Sequence, residues 1–352
     1  MGSIYEIDKN FKIDTKIKKD DIVFCDARKF SIYGLIYENG MYRRMPEKVA
    51  RSVSDGVYYL HTNTAGGRVR FKTDSPYVAI SAKMNEVGKM PHFPLSGSCG
   101  FDLYIGKDYF ATFMPPFDIT DGYESVIDLC GNEMREITIN FPLYSNVKEL
   151  YIGLRNKSTV KEPSPYIKDK PIVYYGSSIT QGGCASRPGN SYEAIVTQNL
   201  SIDHINLGFS GNARAEKEMC DYICTLDMCA FVFDYDHNSP TPDYLKATHE
   251  KMFKKIREKF PKLPIILMSR PKCNLTQEEK DRLEVIKTTF KNACNNGDTC
   301  VHIIEGQELM HLCGDRGTVD GCHPNDWGFA SMAESVEIVL RKALSPGDFG
   351  KM

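Results

Sequence analysis

The sequence predicts two domains of different class. An all-β sandwich of jelly-roll type spans residues 1–160, a linker spans 161–170, and an α/β domain with a parallel sheet spans 171–352. Three observations predict this. Before residue 156, short runs alternate apolar and polar residues, with no convincing helix between them. After residue 171, continuous apolar runs alternate with helical patterns. Between the two, "NKSTVKEPSPYIKDKP" (Asn156–Pro171) is charged, carries three prolines and has no apolar periodicity.

In "GRVRFKTDSPYVAISAKM" the apolar set is Val69 and Phe71, then Val78, Ile80, Ala82 and Met84, with the turn residues Asp74-Ser75-Pro76 between. "EITIN" and "KELYIGL" repeat the period with Ile137 and Ile139, then Leu150 and Ile152. Beyond the linker, strands are expected at Ile172–Tyr175, His204–Leu207, Ala230–Phe233, Pro264–Met268 and Val301–Ile304. Helical periodicity runs through Leu245, Met252, Phe253 and Ile256, and through Leu283, Ile286 and Phe290. A last helix follows Asp326, the expected N-cap. Uninterrupted apolar strands between helices imply a parallel sheet buried on both faces. Reactive groups of such sheets gather at the carboxyl ends of the strands.

At 352 residues the chain can bury a large core without disulfides. Its 46 acidic and 44 basic residues leave a net charge of −2, which points to neither nucleic acid nor an anionic membrane as partner. "MGSIYEIDKNFKIDTKIKKDD" has no apolar core of signal-peptide length, and Gly2-Ser3 lacks the rest of a myristoylation pattern, so a cytoplasmic location is expected. The twelve cysteines scatter along the chain, and Cys220, Cys224 and Cys229 lack Cys-x-x-Cys spacing, so reduced thiols and no metal are expected. No cofactor is expected either, and oligomeric state is left open.

The segment "IVYYGSSITQGGCASRPGNS" (Ile172–Ser191) ends a buried strand on Gly176-Ser177-Ser178. By itself this is also the pattern of a helix N-terminal turn. Near the C-terminus, "TVDGCHPNDWGF" carries Asp320 three residues before His323. A carboxylate there can accept from the imidazole Nδ1–H and leave Nε2 as a base for a hydroxyl. "INLGFSGNAR" ends another strand with Gly208 and Gly211, where backbone N–H groups are accessible; "FVFDYDHNSP" ends a third with Asn238, an amide donor. Each alone has an ordinary reading as turn or cap. Together they fall at the reactive edge of one sheet.

In order, Gly-x-Ser-Ile, Asn-Leu-Gly-Phe-Ser-Gly, Asp-His-Asn and Asp-x-x-His resemble the SGNH (GDSL-type) hydrolase superfamily, from about Pro171 to Leu344. The resemblance implies a flavodoxin-like three-layer α/β/α domain with a five-stranded parallel sheet. It implies Ser178 as nucleophile, His323 as general base and acid, and Asp320 as its orienting partner. The oxyanion hole would be the N–H groups of Ser178 and Gly211 with the Asn238 side chain. "GRVRFKTDSPYVAI" and "SGSCGFDLYIG", with Gly100-Phe101-Asp102-Leu103-Tyr104, are similar to the Gly-x-Asp-Leu-Tyr domain that precedes a GDSL-like domain in one subset. Two positions depart from the pattern: Ser177 stands where the family has aspartate, and Asp236 where it has glycine. Cys184 has no indicated base and reads as a small packed thiol.

The implied chemistry is acyl transfer from an ester. No lid helix accompanies the motifs, which disfavours a triglyceride lipase. A β-sandwich before such a domain resembles two-domain carbohydrate esterases, so the expected reaction is O-deacetylation of an oligosaccharide. The alternatives are a thioesterase or lysophospholipase, and a non-catalytic glycan-binding protein. His92, in the loop Asn85–Gly100, and Asp236 are candidate substrate contacts; Asp102 reads as structural, and Arg43 and Arg44 as domain-surface residues.

Overall fold

Period-two alternation of β-branched and aromatic residues favours extended, half-buried chain. In the computed structural model, which describes residues 17–344, the first half opens with β1 (Ile22–Asp26), β2 (Ser31–Tyr33), β3 (Ile36–Glu38), β4 (Met41–Arg43), α1 (Glu47–Val53) and α2 (Asp55–Leu60). There follow β5 (Arg68–Thr73), β6 (Tyr77–Lys83), α3 (Leu95–Ser98), β7 (Phe101–Ile105), β8 (Asp108–Phe113), β9 (Gly122–Asp128), β10 (Arg135–Asn140), β11 (Glu149–Arg155) and β12 (Val160–Lys161). The N-terminal stretch read for export and acylation signals lies, up to residue 16, outside the described residues. One antiparallel sheet has the order β1-β11-β6-β9; the other has β12-β5-β10-β7-β8, with β2 beside β5. Val69, Phe71, Leu103, Ile137 and Ile139 of one sheet meet Val78, Ile80, Ile127, Leu150 and Ile152 of the other in a common core. This is the all-β sandwich.

In an isolated sandwich the alternate polar residues would face water. Here Arg68, Asp102 and Asn140 are 2%, 0% and 4% exposed, because the outer face of β5, β7 and β10 lies against the second half of the chain. Asp102 accepts from Asn140 Nδ2 at 2.7 Å and from the Gly189 amide at 2.8 Å, while Arg187 reaches it at 3.1 Å. Tyr104 donates its hydroxyl to the Gly189 carbonyl at 3.3 Å. Asp102 and Tyr104 of the Gly-x-Asp-Leu-Tyr stretch therefore clamp the loop 187–189.

The second half holds β13 (Ile172–Gly176), α4 (Tyr192–Leu200), β14 (His204–Gly208), α5 (Lys217–Ile223), β15 (Ala230–Asp234) and α6 (Pro242–Lys259). It ends with β16 (Ile265–Met268), α7 (Gln277–Asn295), β17 (Val301–Ile304), α8 (Gly306–Leu309) and α9 (Asp326–Ala343). The five strands are parallel in the order β14-β13-β15-β16-β17. Side chains of β13 and β15 enter apolar cores on both faces: Val173 and Phe231 on one, Tyr174 and Val232 on the other. The order reverses at β13, whose neighbours are β14 and β15. A crevice opens at such a switch point, beyond the carboxyl ends of the strands.

Several expectations are corrected. The first half does contain helices: α1 and α2 put Ala50, Val57 and Leu60 into the core formed by Val173, Leu207, Phe209 and Met219. Residues 45–60 thus pack with the α/β layers, not the sandwich, because their apolar face finds its partners there. Arg44 is not a surface residue: it is 2% exposed, donates to the carbonyls of Leu60 (2.7 Å) and Gly208, and lies over the Phe209 ring. The first linker residue, Lys161, still belongs to the sandwich, where it pairs with β5 beside Val160. The cap of α9 is Asn325, whose Oδ1 accepts from the amides of Trp327 and Gly328; Asp326 instead accepts from the Ser186 amide at 2.8 Å. Among the described residues no helix is long and apolar enough to cross a membrane. All twelve cysteines are free.

Candidate active site

Beyond β13 the chain must turn sharply while neighbouring strands crowd it. A Cβ on Gly176 would sit 2.3 Å from the Asp234 carbonyl, so only glycine fits that last strand position. The turn is tied by Ser177 N–H to the Asp234 carbonyl (3.0 Å), Gln181 N–H to Ser177 (3.0 Å) and Gly183 N–H to Ser178 (2.8 Å). Ser177 Oγ accepts from the Ile179 amide at 3.1 Å, so the serine that replaces the family's aspartate satisfies the turn locally. Ser178 is held at the tip, 6% exposed.

His323 comes from the loop before α9, which is closed by Val319 N–H to the His323 carbonyl at 2.8 Å. Its Nδ1 lies 2.8 Å from Asp320 Oδ2, and its amide donates to Asp320 Oδ1 at 2.8 Å. Its Nε2 lies 2.9 Å from Ser178 Oγ. With Nδ1–H donated to the carboxylate, Nε2 presents its lone pair to the serine hydroxyl. Burial would raise the Asp320 carboxyl, but the bonds from His323 and Cys322 prevail and hold it at about 2. Two segments far apart in sequence thus form one hydrogen-bonded chain.

Gly211 and Asn238 stand on the loops after β14 and β15, the two neighbours of β13. Gly211 has φ +68° and is exposed, a left-handed conformation that glycine adopts without strain. The Ala213 amide donates to Asn238 Oδ1 at 3.3 Å, which leaves the NH₂ as the donor end of that side chain. Gln181, fully buried, accepts from the Ser210 amide at 3.0 Å and donates to Asn63 at 3.0 Å. It locks the Gly211 loop to the serine turn, a role that only its closeness to Ser178 in sequence hints at.

Of the two candidate substrate contacts, His92 reaches the site: its exposed ring lies 5.8 Å from that of His323. Asp236 does not. It is 3% exposed, and its oxygens accept from the His237 amide (2.9 Å) and the Arg270 amide (3.1 Å). Burial would raise its carboxyl, yet His237 and these amides hold it below the usual range. Asp236 therefore braces the loop beneath Asn238 from inside. Tyr144, which no sequence signal marked, donates from the sandwich side to the Ser178 carbonyl at 3.1 Å, and burial pushes its phenol well up, keeping the proton. A separate cavity of about 160 Å³ between the domains, lined by Arg68, Arg70, Glu136 and Gln198, contains none of these groups.

Residues 169–341 match the GDSL-like Lipase/Acylhydrolase family, and residues 22–160 match the GxDLY family, the N-terminus of Esterase_SGNH_hydro-type. The chain is 30% identical to a GDSL-like lipase from Bacteroides ovatus, over 92% of this chain and 98% of that one, with a TM-score of 0.82. A salicylyl-acyltransferase from a tetracycline biosynthetic pathway shares the fold at 18% identity and a TM-score of 0.74, over 93% and 99% of the two chains. So does an acetyl xylan esterase from the rumen bacterium Butyrivibrio proteoclasticus, at 13% identity and 0.57, over 93% and 99%. No curated protein matches. With the fold, both matched regions and the full-length relative in agreement, the chain belongs to the GDSL-like lipase/acylhydrolase family, as an SGNH-type ester hydrolase with a GxDLY N-terminal domain.

Proposed function

We propose that the protein is a serine esterase that removes small acyl groups, acetyl above all, from carbohydrate hydroxyls. The observation that carries this reading is the 2.9 Å contact between Ser178 Oγ and His323 Nε2, with Asp320 behind the imidazole. His323 takes the hydroxyl proton as Ser178 Oγ attacks the ester carbonyl. The N–H groups of Ser178 and Gly211 and the Asn238 amide hold the oxyanion. His323 then protonates the leaving sugar alcohol, and water, activated by the same imidazole, releases the acid. The sugar reading rests on likeness of fold to the acetyl xylan esterase and to family two carbohydrate esterases from Clostridium thermocellum.

A second reading, transfer of the acyl group to another alcohol, is favoured by the higher structural similarity to the salicylyl-acyltransferase. It uses the same acyl-enzyme. Nitrophenyl esters of increasing chain length, followed by acetylated xylan and mannan oligosaccharides with acetate measured, test the proposal. Activity falling beyond two to four carbons, with acetate released and lost in Ser178→Ala, is expected. Activity rising with chain length indicates a thioesterase or lysophospholipase. Product partitioning to an added alcohol without free acid indicates a transferase.

A further inference from the structure

Three side chains that no local spacing relates converge beside the serine. His92 comes from the sandwich loop after β6, Cys184 from the turn after Ser178, and His323 from the loop before α9. One ligand atom from each lies within 4.8 Å of the other two. Cys184 is 4% exposed and has φ +77°, so its backbone is set by the turn rather than by side-chain preference. His323 Nδ1 is taken by Asp320, which leaves Nε2 as its ligand atom. A carboxylate behind a histidine is the arrangement that orients imidazole toward a metal.

We propose that His92, Cys184 and His323 bind a soft divalent cation, Zn²⁺ in particular, and that its binding switches the esterase off. Two imidazoles and a thiolate select such ions over Mg²⁺ or Ca²⁺, which take oxygen ligands. Tetrahedral Zn²⁺ needs ligand atoms about 3.4 Å apart, from bond lengths of roughly 2.0 Å to nitrogen and 2.3 Å to sulfur. Reaching that spacing from within 4.8 Å requires the ligand side chains to close in, of which His92 is the exposed one. The fourth position falls to water or to the Ser178 hydroxyl, 2.9 Å from the histidine nitrogen. Binding converts the Cys184 thiol to thiolate, its proton passing to solvent, with no change of oxidation state. The lone pair that would receive the Ser178 proton becomes a metal bond. Inhibition thus rests on His323 acting as the base; coordination does not.

The test titrates the full-length, metal-free protein with Co²⁺ and then Zn²⁺. Expected are a sulfur-to-cobalt charge-transfer band with intense tetrahedral d–d bands, their loss on adding Zn²⁺, and inhibition of nitrophenyl acetate hydrolysis over the same Zn²⁺ range, reversed by a chelator. Cys184→Ala should hydrolyse ester without metal, lack the charge-transfer band, and need at least tenfold more Zn²⁺ for inhibition. His92→Ala, a substitution at an exposed position that leaves the fold intact, should weaken Co²⁺ and Zn²⁺ binding by a similar factor. A cobalt spectrum without the thiolate band, or equal Zn²⁺ sensitivity in Cys184→Ala, overturns the site. The band with full activity overturns the switch, and with it the base role of His323, while the site stands.

Discussion

The phenol of Tyr144, on the sandwich side, donates to the carbonyl oxygen of Ser178, on the α/β side, at 3.1 Å. One domain thereby holds the backbone from which the other presents its serine. A neutral hydrogen bond contributes about 0.5–1.5 kcal/mol net, or up to roughly tenfold in rate if it acts on positioning alone. Tyr144→Phe is therefore expected to lower kcat several-fold with KM unchanged. Steady-state kinetics on nitrophenyl acetate, beside a melting curve, check this; an unaltered kcat removes the residue from the site.

Asp320 fixes both the tautomer and the direction of the His323 ring through its bond to Nδ1. Asp320→Asn would present an amide to that nitrogen and favour the wrong tautomer. If the proposed triad operates, the expected loss is about 10⁴-fold in kcat. Labelling by a serine-reactive phosphonate should slow in parallel, and equal labelling rates would argue against the triad.

Asn238 has its carbonyl engaged by the Ala213 amide, so removing the side chain takes away one donor and frees one loop contact. Loss of a side-chain oxyanion donor costs about 2.7–4 kcal/mol of transition-state stabilisation. Asn238→Ala should lower kcat by about 10²–10³-fold with little change in KM, measured on acetyl ester.

At the domain clamp, Asp102 is fully buried against Asn140, Gly189 and Arg187. Burial pushes its carboxyl up, while Arg187 and the two donors favour the carboxylate. Asp102→Ala strands a mostly buried guanidinium and should destabilise by about 3 kcal/mol in urea unfolding. Asp102→Asn keeps an acceptor for Gly189 and should lose less.

Glu193, on α4 and fully buried, accepts from Asn206 at 2.6 Å, and burial lifts its carboxyl from 4.5 to about 8. Between those values the folded chain binds more protons than the unfolded one. The contribution of Glu193 to stability is therefore full below about pH 4.5, falls as pH rises, and levels off above about 8, by at most about 1.4 kcal/mol per unit in between. Glu193→Gln stays neutral and should flatten this slope. Melting temperatures from pH 5 to 9 for both proteins decide it.

From the sequence alone came the class of each half, the five parallel strands and, through the family resemblance, Ser178, Asp320 and His323 as the proposed catalytic set. These depend on local patterns. Burial on both faces makes β13, β15 and β16 read as unbroken apolar runs, and Asp320 and His323 lie within a single turn of chain. The helices α1 and α2 escaped because each is short, and their apolar residues match a core built by residues beyond 170. Docking of the two halves decided the rest. Arg44 beneath Gly208, Tyr144 on Ser178, Asp102 on Gly189 and His92 beside Cys184 and His323 are contacts between residues tens to hundreds of positions apart. A polar residue on a strand looks the same whether water or another domain will face it; only the packed chain distinguishes the two, because burial decides which of its hydrogen bonds must be made within the protein.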